Sequence, residues 1–491
     1  MKAALSWALR NDKSLLYLSL LALTLRGIPE LLSGPYPVGY DLLAGYLPAI
    51  GSFPDITSMN LFGWSWSPLA ILILWSFRQI TNAPELLLLK AAGPAFFAIF
   101  VCSLYYALVT GLQWNKVKAT ISMLIVMSEP AILRLGWDQL RLELGLSFFF
   151  LLLAITKGNL TLGATRKWKE VLALGVLVVV SDQISAVVMA IAFMAQLCLA
   201  TYRQRLIDLK PVLPFVPPGI LFTVGSYMTY FAGHYGAHLA PLKVQVMPGI
   251  AFQNYLSGAF PFGSSYLTVL FTVGSLSLLC VFPILPLAAK GRFKDNFLLP
   301  LTVWFFVASY SIVLSPSLSL AYFWWWMFLL PIPLTLYAVN GLDKFGYLKG
   351  KRLRVTAIGI ALLSIFAIAY STSAIAFGNT YTFPYLPSGL VQSCVEFGDI
   401  SSIGQVMSWA NGTLPQSAIV VVPEQFQGFA SNLRNDIMVR VASPSSTLSD
   451  YSGYFPANVQ VFAIGYPGFP GTIRAVTLVQ YGSVSLWEFF T

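Results

Sequence analysis

The stretch "PYPVGYDLLAGYLPAI", Pro35 to Ile50, decides how this chain is read. Two prolines and a glycine lead into a single carboxylate, Asp41, set between Tyr40 and Leu42 just past the first apolar run. A loop that only joined two helices would need no such combination. What the carboxylate can do depends on whether the run before it, "LLYLSLLALTL", crosses a membrane.

Composition answers that question. Of 491 residues, 57% are hydrophobic and 10% charged, whereas soluble domains carry about 25% charged residues. Too few charges remain to cover a soluble surface, so the chain reads as a polytopic membrane protein. The net charge of +10 lies in short clusters between apolar segments. That is a topology pattern and not a basic face, so no nucleic-acid partner is expected. Cys102, Cys198, Cys280 and Cys394 show neither zinc spacing nor a disulfide framework. The N-terminus resembles a signal peptide, but "RGIPELL" continues the helix with no small-residue cleavage site, so it reads as a retained anchor.

A spanning helix needs about 20 apolar residues. Eleven candidates follow: Ser14–Ser33, Pro84–Leu112, Ala119–Gly136, Leu142–Thr156, Val171–Val180, Ile184–Thr201, Val212–Ala232, Tyr266–Ala289, Phe297–Leu314, Leu318–Asn340 and Val355–Ala376. The fifth reaches full length only if it begins near Trp168. With the N-terminus inside, the inner segments carry Lys2, Arg10 and Lys13; Lys116 and Lys118; and Lys157, Arg166, Lys167 and Lys169. The later ones carry Arg203, Arg205 and Lys210; Lys290, Arg292 and Lys294; and Lys344, Lys349, Lys351, Arg352 and Arg354. Together these hold 20 of the 29 basic residues, as the positive-inside bias requires. The C-terminus is then outside.

"WSWSPLAILILWSF", Trp64 to Phe77, is apolar enough to be a twelfth span, but that would invert every later loop. It reads instead as a helix lying flat on the outer face, its Trp residues at headgroup depth. The first outer loop then covers 34–83, and ordered loops of that length are usually functional. From Phe377 onward the chain turns rich in Gly, Ser and Pro. "SSIGQVMSWANGTLP" reads as a short helix; "SAIVVVPE", "NVQVFAIGY" and "IRAVTLVQYGSVSLWEF" read as strands. The expected organisation is a membrane domain over 1–376 and an extracytoplasmic α/β domain over 377–491. Asn411 opens the acceptor pattern "NGT".

Only 19 residues are acidic, so their places carry information. Charges outside the loops cluster near the expected outer ends of the spans: Arg26 and Glu30; Arg134, Asp138, Arg141 and Glu143 in "RLGWDQLRLE"; and Asp182 in "VVVSDQISA". Asp41 and Asp55 lie in the first outer loop. His234, His238 and Lys243 follow the seventh span. If these ends converge they line one outward polar cavity. Structural readings stand beside the functional ones. Arg26 and Glu30, four apart, form a helix pair; Asp182 caps the next helix; Asp138 and Arg141 pair across three residues.

On this order of features the chain resembles the GT-C superfamily of membrane glycosyltransferases, enzymes that take a sugar from a polyprenyl-phosphate carrier. The likeness lies in a first span followed by a long outer loop with an early acid, "GYDLLAGY"; in a flat helix, "SPLAILILWSF"; in a second polar outer segment, "PAILRLGWDQLRLELG"; and in a C-terminal outer domain. The oligosaccharyltransferase signature WWDYG is absent, and so is an HPDE-like cluster, which points to a single-sugar transferase. The resemblance implies an inverting reaction, with the lipid tail between helices.

The chemistry agrees. Attack by an acceptor hydroxyl on an anomeric carbon needs a carboxylate base, and a departing lipid phosphate needs cations. Asp41 is the candidate base, with Tyr40 beside it. Arg141, Arg134, and Arg26 or Lys243 are candidates for the phosphate, because arginine donates two bonds at once. Asp138 is placed to hold Arg141, meet the acceptor or bind a divalent metal; no cofactor is otherwise indicated. Asp182 and His234 complete the expected lining. The expected partners are membrane lipid, a polyprenyl-phosphate-linked sugar donor, and a glycan, lipid or protein acceptor. A secondary transporter would instead carry its charges at the midplane in paired repeats, and a non-catalytic scaffold could keep the same fold.

Overall fold

The computed structural model of the chain describes residues 13–32, 37–39, 42–52, 67–204, 209–235, 244–246, 273–293 apart from 275, 297–314, 323–376, 399–423, 426–430, 433–442 apart from 435, 459–469 apart from 468, and 475–489. Five helices among the described residues are long and apolar enough to cross a membrane: Lys13–Leu32, Glu85–Gly111, Gln183–Arg203, Trp325–Lys344 and Arg352–Ala369. The protein is membrane-embedded and mainly helical, with a small C-terminal sheet. Helices also stand at the other apolar runs: Leu140–Ile155, Trp168–Ser181, Val216–Tyr235 and Leu298–Leu314. The fifth run does begin at Trp168.

One run departs from the straight helix expected over Ala119–Gly136. It forms two helices, Lys116–Ser128 and Pro130–Asp138, bent by 68°. The cause is Pro130, which has no N–H to give and forces the residue before it out of the helical region. Glu129 is accordingly extended, at φ −72 and ψ 127. The second helix ends at Gln139 (φ −107, ψ 51), and Leu140–Ile155 starts a new direction. "WDQLR" is therefore a corner between two helices.

The loop after the first helix is partly helical. A π-helical turn, Leu42–Tyr46, runs into the helix Leu47–Ser52. Leu42, Tyr46 and Ile50 bury against Ala70, Ile71 and Leu74 of the helix Leu69–Thr81, against Leu89 and Phe96, and against Leu140 at the corner. Helix Leu69–Thr81 keeps Leu72, Phe77 and Ile80 exposed, so the side turned away from this cluster also carries apolar residues.

At the far end of Glu85–Gly111 from this loop, helices Leu285–Gly291 and Pro331–Lys344 meet backbone to backbone. A Cβ on Gly291 would lie 1.7 Å from the Tyr337 carbonyl oxygen, and one on Gly341 would lie 2.5 Å from that of Leu287. Small residues permit such approaches between membrane helices. Lys118 Nζ donates there to Asn340 and lies 3.4 Å from Asp343 Oδ2.

The sheet has six strands in the order β1-β3-β2-β4-β6-β5. They are β1 Val244–Val246, β2 Ile419–Pro423, β3 Met438–Ala442, β4 Val461–Gly465, β5 Ala475–Tyr481 and β6 Val484–Phe489. The first four are parallel; β6 and β5 add an antiparallel hairpin turning at Gly482, whose φ is +55. Strand β2 is buried along its whole length, the pattern of a parallel strand covered on both faces. Helix Asp399–Thr413 covers one face with Ile400, Ile403, Val406 and Ala410. The edge strand β1 comes from residues 244–246, between membrane helices, and not from the C-terminal segment. Asn411 lies in the last turn of its helix, and its Oδ1 accepts the Arg434 N–H at 2.7 Å.

Candidate functional site

The site grows from the end of the first helix. Arg26 is fully buried and Glu30 nearly so, because they face the Glu85–Tyr106 helix and not lipid. Their ion pair measures 2.6 Å. The other guanidinium nitrogens donate to backbone oxygens: Nε to Gly136 at 2.8 Å and Nη2 to Val38 at 3.2 Å. Glu30 Oε2 accepts the Val38 N–H at 3.0 Å. Lys90 donates to the Glu30 carbonyl and stands 3.8 Å from Oε2. Gly93 makes room for the guanidinium, since a Cβ there would lie 2.6 Å from Nη2.

The loop helix meets the corner directly. The Arg141 N–H donates to the Tyr46 phenol oxygen at 2.9 Å. Tyr46 is 1% exposed, so the bond sits inside the fold. Gln139, at the N-cap of Leu140–Ile155, makes no side-chain cap bond, and first-turn N–H groups need partners from outside the helix. The tyrosine of the first loop supplies one.

Asp182 stands between helices Trp168–Ser181 and Gln183–Gln204 in an extended conformation. Its Oδ2 accepts the Ser185 N–H at 2.8 Å. This is the capping arrangement, with Arg141 within electrostatic reach. Gly145 allows it: a Cβ there would lie 2.5 Å from Ser185 Oγ and 3.2 Å from Asp182 Cβ.

The structure thus brings Arg26, Arg141 and Asp182 around one corner. Arg134 is half-buried on the helix leading into it. Asp138 ends that helix and His234 lies in the last turn of Val216–Tyr235; of these two only the backbone is described. Tyr40, Asp41 and Lys243 lie outside the described residues, between or beside segments that are described: Gly39, Leu42 and Val244. Among the described residues no group of three His, Cys, Asp or Glu side chains could hold a metal. Reading the sequence did not single out Tyr46 or Lys90 for this region, and it named Glu143 only among the charges near the span ends. Glu143 is fully buried, electrostatically coupled to Arg26, and its two oxygens find no hydrogen-bond partner among the described residues.

No protein-family model matches the chain, and no curated protein matches it by sequence. Solved structures do. ArnT of Cupriavidus metallidurans in the apo state, a 4-amino-4-deoxy-L-arabinose transferase, is similar over 99% of this chain and 98% of its own, with a TM-score of 0.52 and 13% identity. The chain has the GT-C fold. The arabinofuranosyltransferase AftD from Mycobacteria is similar over 96% of this chain but 40% of its own, with a TM-score of 0.45 and 12% identity.

Proposed function

We propose that this protein is a membrane glycosyltransferase that moves a single sugar from a polyprenyl-phosphate carrier to an acceptor hydroxyl on the outer face. The observation that carries this reading is the Tyr46–Arg141 hydrogen bond. It joins the loop segment directly after Asp41 to the corner that holds Arg134, Asp138 and Arg141. A carboxylate and guanidinium groups on two joined elements are what the chemistry requires. The GT-C fold supports the same class of reaction.

In the proposed reaction the acceptor oxygen attacks the anomeric carbon while the bond from that carbon to the phosphate oxygen breaks. Asp41 takes the hydroxyl proton. Arg141 and Arg134 stabilise the charge that develops on the leaving phosphate. Attack opposite the leaving group inverts the anomeric centre. Arg26, enclosed and bonded to backbone, is left to a positioning role. The chain enters from the inside, crosses eleven times counting the bent pair as one, and ends outside, where the sheet domain lies over the loop. Acceptor and sugar are chosen by surfaces beyond the groups named.

The test uses purified protein in proteoliposomes with a radiolabelled polyprenyl-phosphate sugar. The wild type is expected to release polyprenyl phosphate. Arg141→Lys keeps the charge but loses the planar fork, and donor kcat/KM is expected to fall about 10- to 100-fold. No release by the wild type with any acceptor fraction, or an Arg141→Lys variant as fast as the wild type, would contradict the proposal.

A further inference from the structure

We infer that Arg26 and Glu30 are positioning residues that fix the entry of the first outer loop against the "WDQLR" corner. The pair grips one residue from both sides: the Val38 carbonyl accepts from Arg26 Nη2 at 3.2 Å, and its N–H donates to Glu30 Oε2 at 3.0 Å. Val38 is three residues before Asp41 in sequence. The same guanidinium reaches the Gly136 carbonyl at 2.8 Å, and Gly136 is two residues before Asp138. One side chain therefore spans from the loop to the corner.

The surroundings point to placement as the purpose. Arg26 has Glu30 on one side at 2.6 Å and the buried Glu143 within electrostatic reach. A Cβ on Gly136 would stand 3.2 Å from Glu143 Oε1, so the acid lies against the peptide that Arg26 holds. Lys90 balances the set through Glu30. Two cations and two carboxylates, all but Lys90 almost fully enclosed, gain little net stability over apolar side chains of the same size. What they add is direction, because the rigid arginine fork fixes where its acceptors must lie. Gly93 packs so close to the fork that it has one place to sit.

The loop's importance rests on the reading that it carries the catalytic carboxylate; the grip itself does not. The test therefore reads both. Full-length Arg26→Met/Glu30→Leu and Arg26→Lys variants are compared with the wild type in nanodiscs, by amide hydrogen exchange and by transfer from a polyprenyl-phosphate sugar. In the double variant, amides of Val38 and Leu42–Tyr46 are expected to exchange about tenfold faster, while those of helix Asp399–Thr413 stay close to the wild type. Turnover should fall about 100-fold with the KM for donor within about twofold. Arg26→Lys, which cannot reach both carbonyls but leaves Glu30 to accept the Val38 N–H, should show the faster exchange at Leu42–Tyr46, and it stands as the test if the double variant fails to fold. Unchanged exchange at Val38 in the double variant, or at Tyr46 in either variant, would overturn the inference, as would a loss of protection spread evenly over the whole chain. Faster exchange at these sites in a protein whose wild type transfers no sugar would support the grip and remove the transferase reading instead.

Discussion

Tyr46 shows how a single atom can join two segments far apart in sequence. Its phenol oxygen takes the place of the missing cap on helix Leu140–Ile155. Tyr46→Phe would leave the part-buried Arg141 N–H without that acceptor, which costs about 1 kcal/mol. The expected result is a lower melting temperature in nanodiscs together with reduced transfer; a variant equal to the wild type in both would separate the loop from the corner. The residues of the site were unequally legible beforehand. The Arg26–Glu30 pair follows from a spacing of four on a helix, and the cap at Asp182 from an acid placed before a helix start. The remaining Arg26 bonds were not legible, because backbone carbonyls at Val38 and Gly136 leave no mark in the side-chain alphabet. Glu143 was noticed as a charge but its burial was not, since an acid in the first turn of a helix is ordinary on electrostatic grounds.

Among elements, the apolar runs were readable because a membrane helix must satisfy its own backbone and stay apolar over its length. The bend was signalled by Pro130 but concealed by continuous hydrophobicity on both sides of it. Strand β3 was missed because Arg440 interrupts its apolar pattern, and β1 because three residues in a long loop carry no period. Helix contacts made through glycine are just as silent in sequence, and they differ in consequence. Gly145→Ala would push Ser185, and with it Asp182, away from the helix that begins beside Arg141. Transfer is expected to fall about tenfold or more while the protein still inserts, since small displacements of a positioned group are costly; unchanged turnover would show that Asp182 is remote from the chemistry. Gly291→Ala faces a backbone oxygen that cannot turn aside. Overpacking there should cost about 3 kcal/mol or more, read as a sharp drop in melting temperature. A variant as heat-stable as the wild type would contradict the close helix approach.

At the scale of the molecule, the C-terminal sheet is fastened to the helices before it in more than one place. β1 enters its sheet from between membrane helices. Leu47 of the loop helix and Leu86 pack against the hydrophobic core beside the sheet, and the short helix Gln427–Ala430 lies against Leu42–Tyr46. The sheet and its core thus cover the loop whose entry Arg26 and Glu30 hold. The strands after residue 399 leave local patterns in the sequence, but pairing a strand with one 195 positions further along the chain is a tertiary fact that no local pattern encodes. All of this arrangement converges on the segment that begins at Asp41, and the most direct measurement is the turnover of Asp41→Asn. In proteoliposomes with a polyprenyl-phosphate sugar, kcat is expected to fall about 10²- to 10⁴-fold with donor binding retained. Turnover equal to the wild type would contradict the account.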